Sequence, residues 1–88
     1  MSEFIHWREH LSRGDLVEVS CSHRCNVRLT TDIEFAKLKR GGAHQYFGGH
    51  YDRLPARVPV PHDGWWNITL DLGGGSANIR YGMRVIPG

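Results

Sequence analysis

The chain has 88 residues, and its 11 basic and 9 acidic residues leave a formal net charge of +2. A chain of this length buries only about 60–65% of its unfolded surface, which excludes two separate cores and predicts a single domain over residues 1–88. Hydrophobic residues at 40% and charged residues at 23% exclude extensive disorder, and the small net charge does not favour nucleic acid as a partner.

The sequence has no apolar run of about 20 residues, and its first residues lack the basic and apolar regions of a secretory signal. We therefore expect a cytoplasmic protein without membrane association. In that compartment the two cysteines, Cys21 and Cys25, are expected to be reduced.

The first three predicted strands lie within residues 4–29. The opening segment FIHWREHL fits both a helix and a strand, and the alternation of Ile5 and Trp7 favours the strand. The next two strands alternate apolar and polar residues more regularly. Their apolar positions are Val17, Val19, Cys21, Val27 and Leu29.

One short helix is predicted over residues 31–40. Thr31 and Glu34 have the spacing of a capping box, and two glycines follow the last predicted turn. The apolar stripe consists of Ile33, Phe35 and Leu38, and the basic residues of the last turn are Lys37, Lys39 and Arg40. These cations complement the helix dipole, and we favour this structural use over contacts with nucleic acid.

Two interpretations remain open for AHQYFGGHYDR, residues 43–53. The segment forms either a small hairpin with Gly48 and Gly49 as its loop or a mobile loop. Aromatic and hydrogen-bonding side chains beside glycines are typical of a binding loop, although the same rings could simply cover one end of the domain. The candidate binding residues are His44, Tyr46, His50 and Tyr51.

The last three predicted strands begin at Ala56. Pro59 cannot donate a ladder hydrogen bond, so the strand over residues 56–60 is expected at a sheet edge or at a bulge. The alternation in GWWNITLDLGGGSANIRY, residues 64–81, predicts a hairpin closed by the glycines. This hairpin puts Trp66 on the apolar face and Trp65 opposite Arg84. Its polar face supplies three further candidate contacts, Asn67, Asn78 and Arg80.

The three consecutive glycines, Gly73 to Gly75, raise the question of a phosphate-binding loop. They lack the third glycine of the dinucleotide motif, no Walker lysine follows, and the next residues alternate like a strand. The pattern therefore predicts a turn.

The densest group of potential metal ligands is Cys21, His23 and Cys25. Thiolate and imidazole ligands suit zinc, but the second ligand pair of a usual zinc site is missing, which favours buried cysteines flanking a turn. The sequence has no nucleophile elbow and no acid pair that stands out, so we predict no catalytic residue and no cofactor. A second alternative is weak nucleic-acid binding by Arg24, Arg28, Lys37, Lys39, Arg40 and Arg80.

Three stretches of the chain, residues 4–29, 46–75 and 77–86, contain the Cys-Ser-His-x-Cys-Asn-Val core, the Gly48-Gly49 pair and the Asp-Leu-Gly-Gly-Gly turn. In these stretches the chain resembles the small bacterial family called domain of unknown function 1883. The resemblance implies a small all-β domain, found alone or attached to TIR signalling domains, without an established catalytic role. An attachment of this kind suggests an accessory or sensing module.

About seven short strands and one helix predict an all-β fold, a compact antiparallel β-sandwich or barrel. The leading functional hypothesis is a non-catalytic module that binds a small molecule or a protein partner. The candidate contacts are residues 43–53 and the polar face of the last hairpin.

Overall fold

The computed structural model of the protein describes residues 4–22, 24–71 and 80–88. Within these ranges the chain forms seven strands and one helix. In chain order they are β1 (Ile5–Leu11), β2 (Leu16–Cys21), β3 (Cys25–Thr31), α1 (Asp32–Lys39), β4 (Phe47–Tyr51), β5 (Ala56–Pro59), β6 (Gly64–Asp71) and β7 (Tyr81–Ile86). The predicted all-β fold with one helix near residues 31–40 is confirmed.

The strands form two antiparallel sheets, one of four strands in the order β1-β6-β3-β4 and one of three strands in the order β5-β2-β7. Their apolar faces pack together as a sandwich. The core includes Trp66, Leu29 and Ile68 from the larger sheet and Val17, Val19 and Val58 from the smaller one, each at most 2% exposed. Burial of each such side chain contributes about 1.5–3 kcal/mol. The strand that ends at Pro59 lies at an edge, as predicted.

Helix α1 covers part of the outer face of the four-stranded sheet, where it packs against β3 and β6. The Thr31 hydroxyl accepts a hydrogen bond from the Glu34 N–H at 3.4 Å, which confirms the Thr31 half of the predicted capping box. The Glu34 carboxylate accepts instead from the Gln45 N–H at 2.7 Å. Phe35 is buried against the His6 ring, with the ring centroids 4.2 Å apart. The predicted apolar stripe is wrong at Ile33, which is 72% exposed. A helix of only eight residues buries little more than one side chain on a sheet.

The hairpin predicted over residues 64–81 is wrong. Strand β6 pairs with β1 and β3 in one sheet, whereas β7 pairs with β2 in the other. Trp65 is consequently not opposite Arg84. Its ring lies under the Arg8 guanidinium, whose carbon is 4.4 Å from the ring centroid. The predicted glycine turn and Asn78 fall within residues 72–79, outside the described residues. Alternation identifies the residues that share a face, but it does not identify the neighbouring strand.

The hairpin predicted within residues 43–53 is also wrong. Gly48 and Gly49 lie inside the single strand β4, which pairs with β3, so Tyr46 and Tyr51 are not cross-strand partners. Gly48 has φ +110°, a conformation that favours glycine. A Cβ at Gly48 would also overlap the Val27 carbonyl, whereas a Cβ at Gly49 would meet no atom within 4 Å. Gly48 therefore serves the close approach of two strands, and neither glycine forms a turn.

Candidate functional site

Two of the predicted binding residues, His44 and Tyr46, come together beside the outer face of β3. The ring centroids of His44 and Tyr46 are 5.5 Å apart, and the Arg28 guanidinium carbon lies 5.2 Å from the centroid of the Tyr46 ring. An Arg28 amino group also lies 3.8 Å from the Asp71 carboxylate. Tyr46 is 44% exposed, so this half-exposed ring lies between an imidazole and a guanidinium.

Two nitrogen atoms beside Tyr46 have unmet hydrogen-bonding capacity. The His44 Nδ1–H donates to the Gly42 carbonyl at 3.1 Å, which leaves Nε2 as the acceptor of the neutral imidazole. Among the side-chain atoms that the structure describes, His44 Nε2 and Arg28 Nε are buried without a hydrogen-bond partner. An unpaired buried polar group costs about 1–3 kcal/mol, so such groups are uncommon unless they have a use.

His50 extends this surface along β4. Its Nδ1 lies 3.1 Å from the Asn26 side-chain oxygen, and its Nε2 lies 3.0 Å from a carboxylate oxygen of Asp52. Cross-strand pairing places Asn26 opposite both His50 and Asp71. We call the group of His44, Tyr46, Arg28, Asn26 and His50 the β3–β4 surface.

Two other predicted contacts do not join the β3–β4 surface. Tyr51 packs partly buried against the core. Asn67, predicted on an open polar face, is only 1% exposed because it lies beneath the start of α1. Its amide donates to Asp32 at 2.7 Å, and its side-chain oxygen contacts His6 Nε2 at 2.8 Å.

Asp32 connects this buried amide to the surface. It accepts two hydrogen bonds from the Arg8 guanidinium, at 3.1 and 2.7 Å. The hydrogen bonds from Arg8 and from Asn67 lower the pKa of Asp32 to about 2. This network attaches the first turn of the helix to β1 and β6, so we assign Asn67 a structural role.

Arg80 is the other predicted polar-face contact that the structure describes. It lies beside the three-stranded sheet, next to the first residue of β7. The Arg80 N–H donates to the Ser22 hydroxyl at 3.1 Å, and the Ser22 N–H donates to the Arg80 carbonyl at 2.8 Å, which extends the pairing of β2 and β7. The side chain is exposed. The predicted polar face is therefore divided between two sheets.

The basic residues of the nucleic-acid hypothesis are dispersed. Lys37 pairs with Glu34 at 2.9 Å, and Lys39 lies over the Phe35 ring, both on the helix. Arg28 belongs to the β3–β4 surface, whereas Arg80 lies on the other sheet. Without a continuous basic stripe through these residues, the arrangement does not favour the tracking of a phosphate backbone.

Cys21 is the last residue of β2, and Cys25 is the first residue of β3. Burial, followed by the influence of the Cys21 thiol, raises the pKa of Cys25 to about 11. His23, the third residue of the metal hypothesis, lies outside the described residues. Across the parts of the chain that are described, no three His, Cys, Asp or Glu side chains form a group that could hold a metal ion.

The two thiols are expected to differ in reactivity. At pH 8 only about one Cys25 in a thousand would be a thiolate, and this side chain is 1% exposed. Mass spectrometry after treatment with iodoacetamide should show one adduct, on Cys21, in the native protein and two in urea. The Cys21→Ser variant should remain unmodified until it unfolds. Labelling of native Cys25 as fast as Cys21 would contradict this assignment.

Arg28 and Asn26 were not predicted as part of a binding surface with the residues of β4. Their outward positions follow from the alternation of β3, but their neighbours depend on the pairing of β3 with β4. The hydrophobic residues of the segment 43–53 do not indicate that it pairs with β3. Only Arg28 appeared in the sequence-based hypotheses, as a possible contact for nucleic acid.

The protein is a small all-β sandwich with one helix on the outer face of its larger sheet. The sequence model described as Domain of unknown function (DUF1883) matches residues 2–87, and the chain belongs to this family. Among curated proteins and among solved structures, none matches the chain. No helix in the described ranges is long and apolar enough to span a membrane.

Proposed function

We propose that the protein is a non-catalytic module that binds a small molecule or a protein partner through the β3–β4 surface. The observation that carries this proposal is the pair of unsatisfied nitrogens, Arg28 Nε and His44 Nε2, beside the Tyr46 ring. This half-exposed ring lies beside both side chains, 5.2 Å from the Arg28 guanidinium carbon and 5.5 Å from the His44 ring centroid.

The chemistry of the two nitrogens restricts the ligand. Arg28 Nε–H is a donor, and His44 Nε2 is an acceptor when Nδ1 carries the proton. A ligand that presents an acceptor and a donor together, as an amide does, satisfies both. Tyr46 adds an aromatic surface that is suited to a flat group. A peptide segment or a small molecule containing an amide fits this description.

The proposal is tested by selecting binders from a phage-displayed library of random peptides and, in parallel, by ligand-observed NMR with a mixture of metabolites. Binders of the wild type are then measured against the double variant His44→Ala/Tyr46→Ala. The matched control is Tyr81→Ala, which removes a tyrosine of similar exposure, 51%, from the other sheet.

We expect the double variant to bind selected ligands at least about tenfold more weakly, while Tyr81→Ala binds them as the wild type does. Circular dichroism would establish that both variants are folded. Ligands that retain their affinity for the double variant, or no binder from either source, would reject the β3–β4 surface as the binding site.

A further inference from the structure

A second surface lies on the outer face of the three-stranded sheet. Helix α1 packs against the four-stranded sheet, so it lies on the far side of the sandwich from this face. Val17 and Val19 of β2 face the core, which turns Glu18 and Ser20 outward. Their partners on β7 are Arg84 and Gly82.

Ser20 and Gly82 form the floor of two adjoining depressions. One depression, of about 380 Å³, extends to Glu18 and Arg84, and the other, of about 410 Å³, extends to Arg80. Both depressions are wide open to solvent. Because Gly82 has no side chain and Ser20 has a short one, the centre of this face is open, with a hydroxyl as a hydrogen-bonding group.

Arginines stand on both sides of this open floor. Arg80 and Arg84 each lie two residues from Gly82 along the same chain, a distance of roughly 7 Å that an arginine side chain spans. Their alternation with Met83 and Tyr81 places both on the outer face. The guanidinium groups can therefore approach a ligand above Gly82 from opposite directions.

A single carboxylate orients two of the arginines in this region. Glu18, 5% exposed, accepts a hydrogen bond from Arg84 Nε at 2.6 Å and another from Arg57 Nε at 2.9 Å. Both arginines use Nε for this contact, so their terminal amino groups face solvent on side chains that are 70% and 56% exposed. With Arg80 included, the face carries two positive charges beyond the one that Glu18 neutralises.

We infer that this face binds a phosphate group, either as free phosphate or as part of a small phosphorylated molecule. Arginine amino groups match the oxygen atoms of phosphate in pairs, and the Ser20 hydroxyl adds a donor from below. A phosphomonoester carries a charge of about −1.5 to −2 at neutral pH, which the local excess of two positive charges balances. We call the group of Ser20, Gly82, Arg80 and Arg84, together with Arg57 on the other side of Glu18, the arginine groove.

The test uses 15N–1H NMR titrations of the whole protein at constant ionic strength, with inorganic phosphate, phenyl phosphate and benzoate as probes. Arg80→Gln removes one cation, and Gly82→Val fills the floor, since a Cβ at Gly82 meets no atom within 4 Å. The matched control is Arg53→Gln, which removes the same charge from an exposed position elsewhere.

We expect phosphate to produce saturable shifts of the Ser20 and Gly82 amides. Arg80→Gln should weaken binding about tenfold, Gly82→Val should abolish the saturable shifts, and Arg53→Gln should change affinity less than about twofold. Unchanged amide shifts in β1 and β6 would show that each variant is folded. Tighter binding of phenyl phosphate would identify a phosphorylated small molecule as the ligand, and equal binding would identify phosphate itself.

Several results would overturn the inference. Shifts that do not saturate, equal binding of benzoate, or equal weakening by Arg53→Gln and Arg80→Gln would show only general attraction between anions and a basic surface. Binding of a single-stranded oligonucleotide without binding of either phosphate probe would replace the inferred ligand with nucleic acid.

Discussion

Replacement of Trp66 by alanine is expected to lower the free energy of unfolding by about 3–5 kcal/mol, the usual effect of removing a large aromatic side chain from a core. Trp66 is completely buried, and its ring lies 5.9 Å from Phe47 and 4.7 Å from His62, centroid to centroid. Its indole N–H donates to the His62 carbonyl at 3.1 Å. Small domains have a total stability of about 5–15 kcal/mol, so the loss removes a large part of the free energy of unfolding. A substantial fraction of the variant molecules should therefore be unfolded when the wild-type stability lies at the lower end of this range.

The preceding residue provides the matched control. Trp65 points to the opposite face of β6, is 50% exposed and contacts mainly the Arg8 guanidinium and His10. Trp65→Ala should therefore cost about 1 kcal/mol or less. Urea denaturation followed by circular dichroism measures both variants. Equal losses from the two tryptophans would show that the alternation of β6 does not place them on opposite faces.

Gly48→Ala is the second substitution with a large expected effect, about 2 kcal/mol or more of lost stability. At φ +110° an alanine is strained, and its Cβ would overlap the carbonyl oxygen of Val27 in the neighbouring strand. Strands β3 and β4 would have to separate, although their backbone hydrogen bonds hold the β3–β4 surface together. The melting temperature of the variant should fall accordingly.

Gly82→Ala is the control for this effect. Gly82 also lies within a strand, but a Cβ there meets no atom within 4 Å. The substitution should leave stability unchanged or raise it by about 0.4–1 kcal/mol, because alanine restricts the unfolded chain. Calorimetry on the two variants separates the conformational requirement at Gly48 from a general effect of glycine in strands. A stable Gly48→Ala variant would contradict the close approach of β3 and β4.

The two binding proposals are independent because their residues lie on different sheets. The β3–β4 surface uses an imidazole, a phenol ring and Arg28, whereas the arginine groove uses arginines around a glycine and a serine. The double variant His44→Ala/Tyr46→Ala leaves the arginine groove intact, and Arg80→Gln leaves the β3–β4 surface intact. The variant His44→Ala/Tyr46→Ala should therefore still bind phosphate. The variant Arg80→Gln should still bind the selected peptides.

Local patterns in the sequence were sufficient to predict the class of fold. The alternation of apolar and polar residues identified the strands other than β4 and their buried faces, as at Val17 and Val19 and at Trp66. The Thr31 cap and the edge position of Pro59 followed from the same local chemistry. These features depend on backbone geometry and hydrogen bonding within a few residues, so they can be predicted from the local sequence.

Only the tertiary structure decided which strands are neighbours. The alternation of residues 64–71 and 81–86 is the same whether the two segments pair with each other or belong to separate sheets. The pairing arises from long-range packing and hydrogen bonding, which local patterns do not contain. The observed pairing accounts for the burial of Asn67, the role of Gly48 inside a strand and the position of Arg80 beside Gly82. The amino-acid sequence thus determined most of the strands and their faces, and three-dimensional packing decided which side chains meet to form a surface.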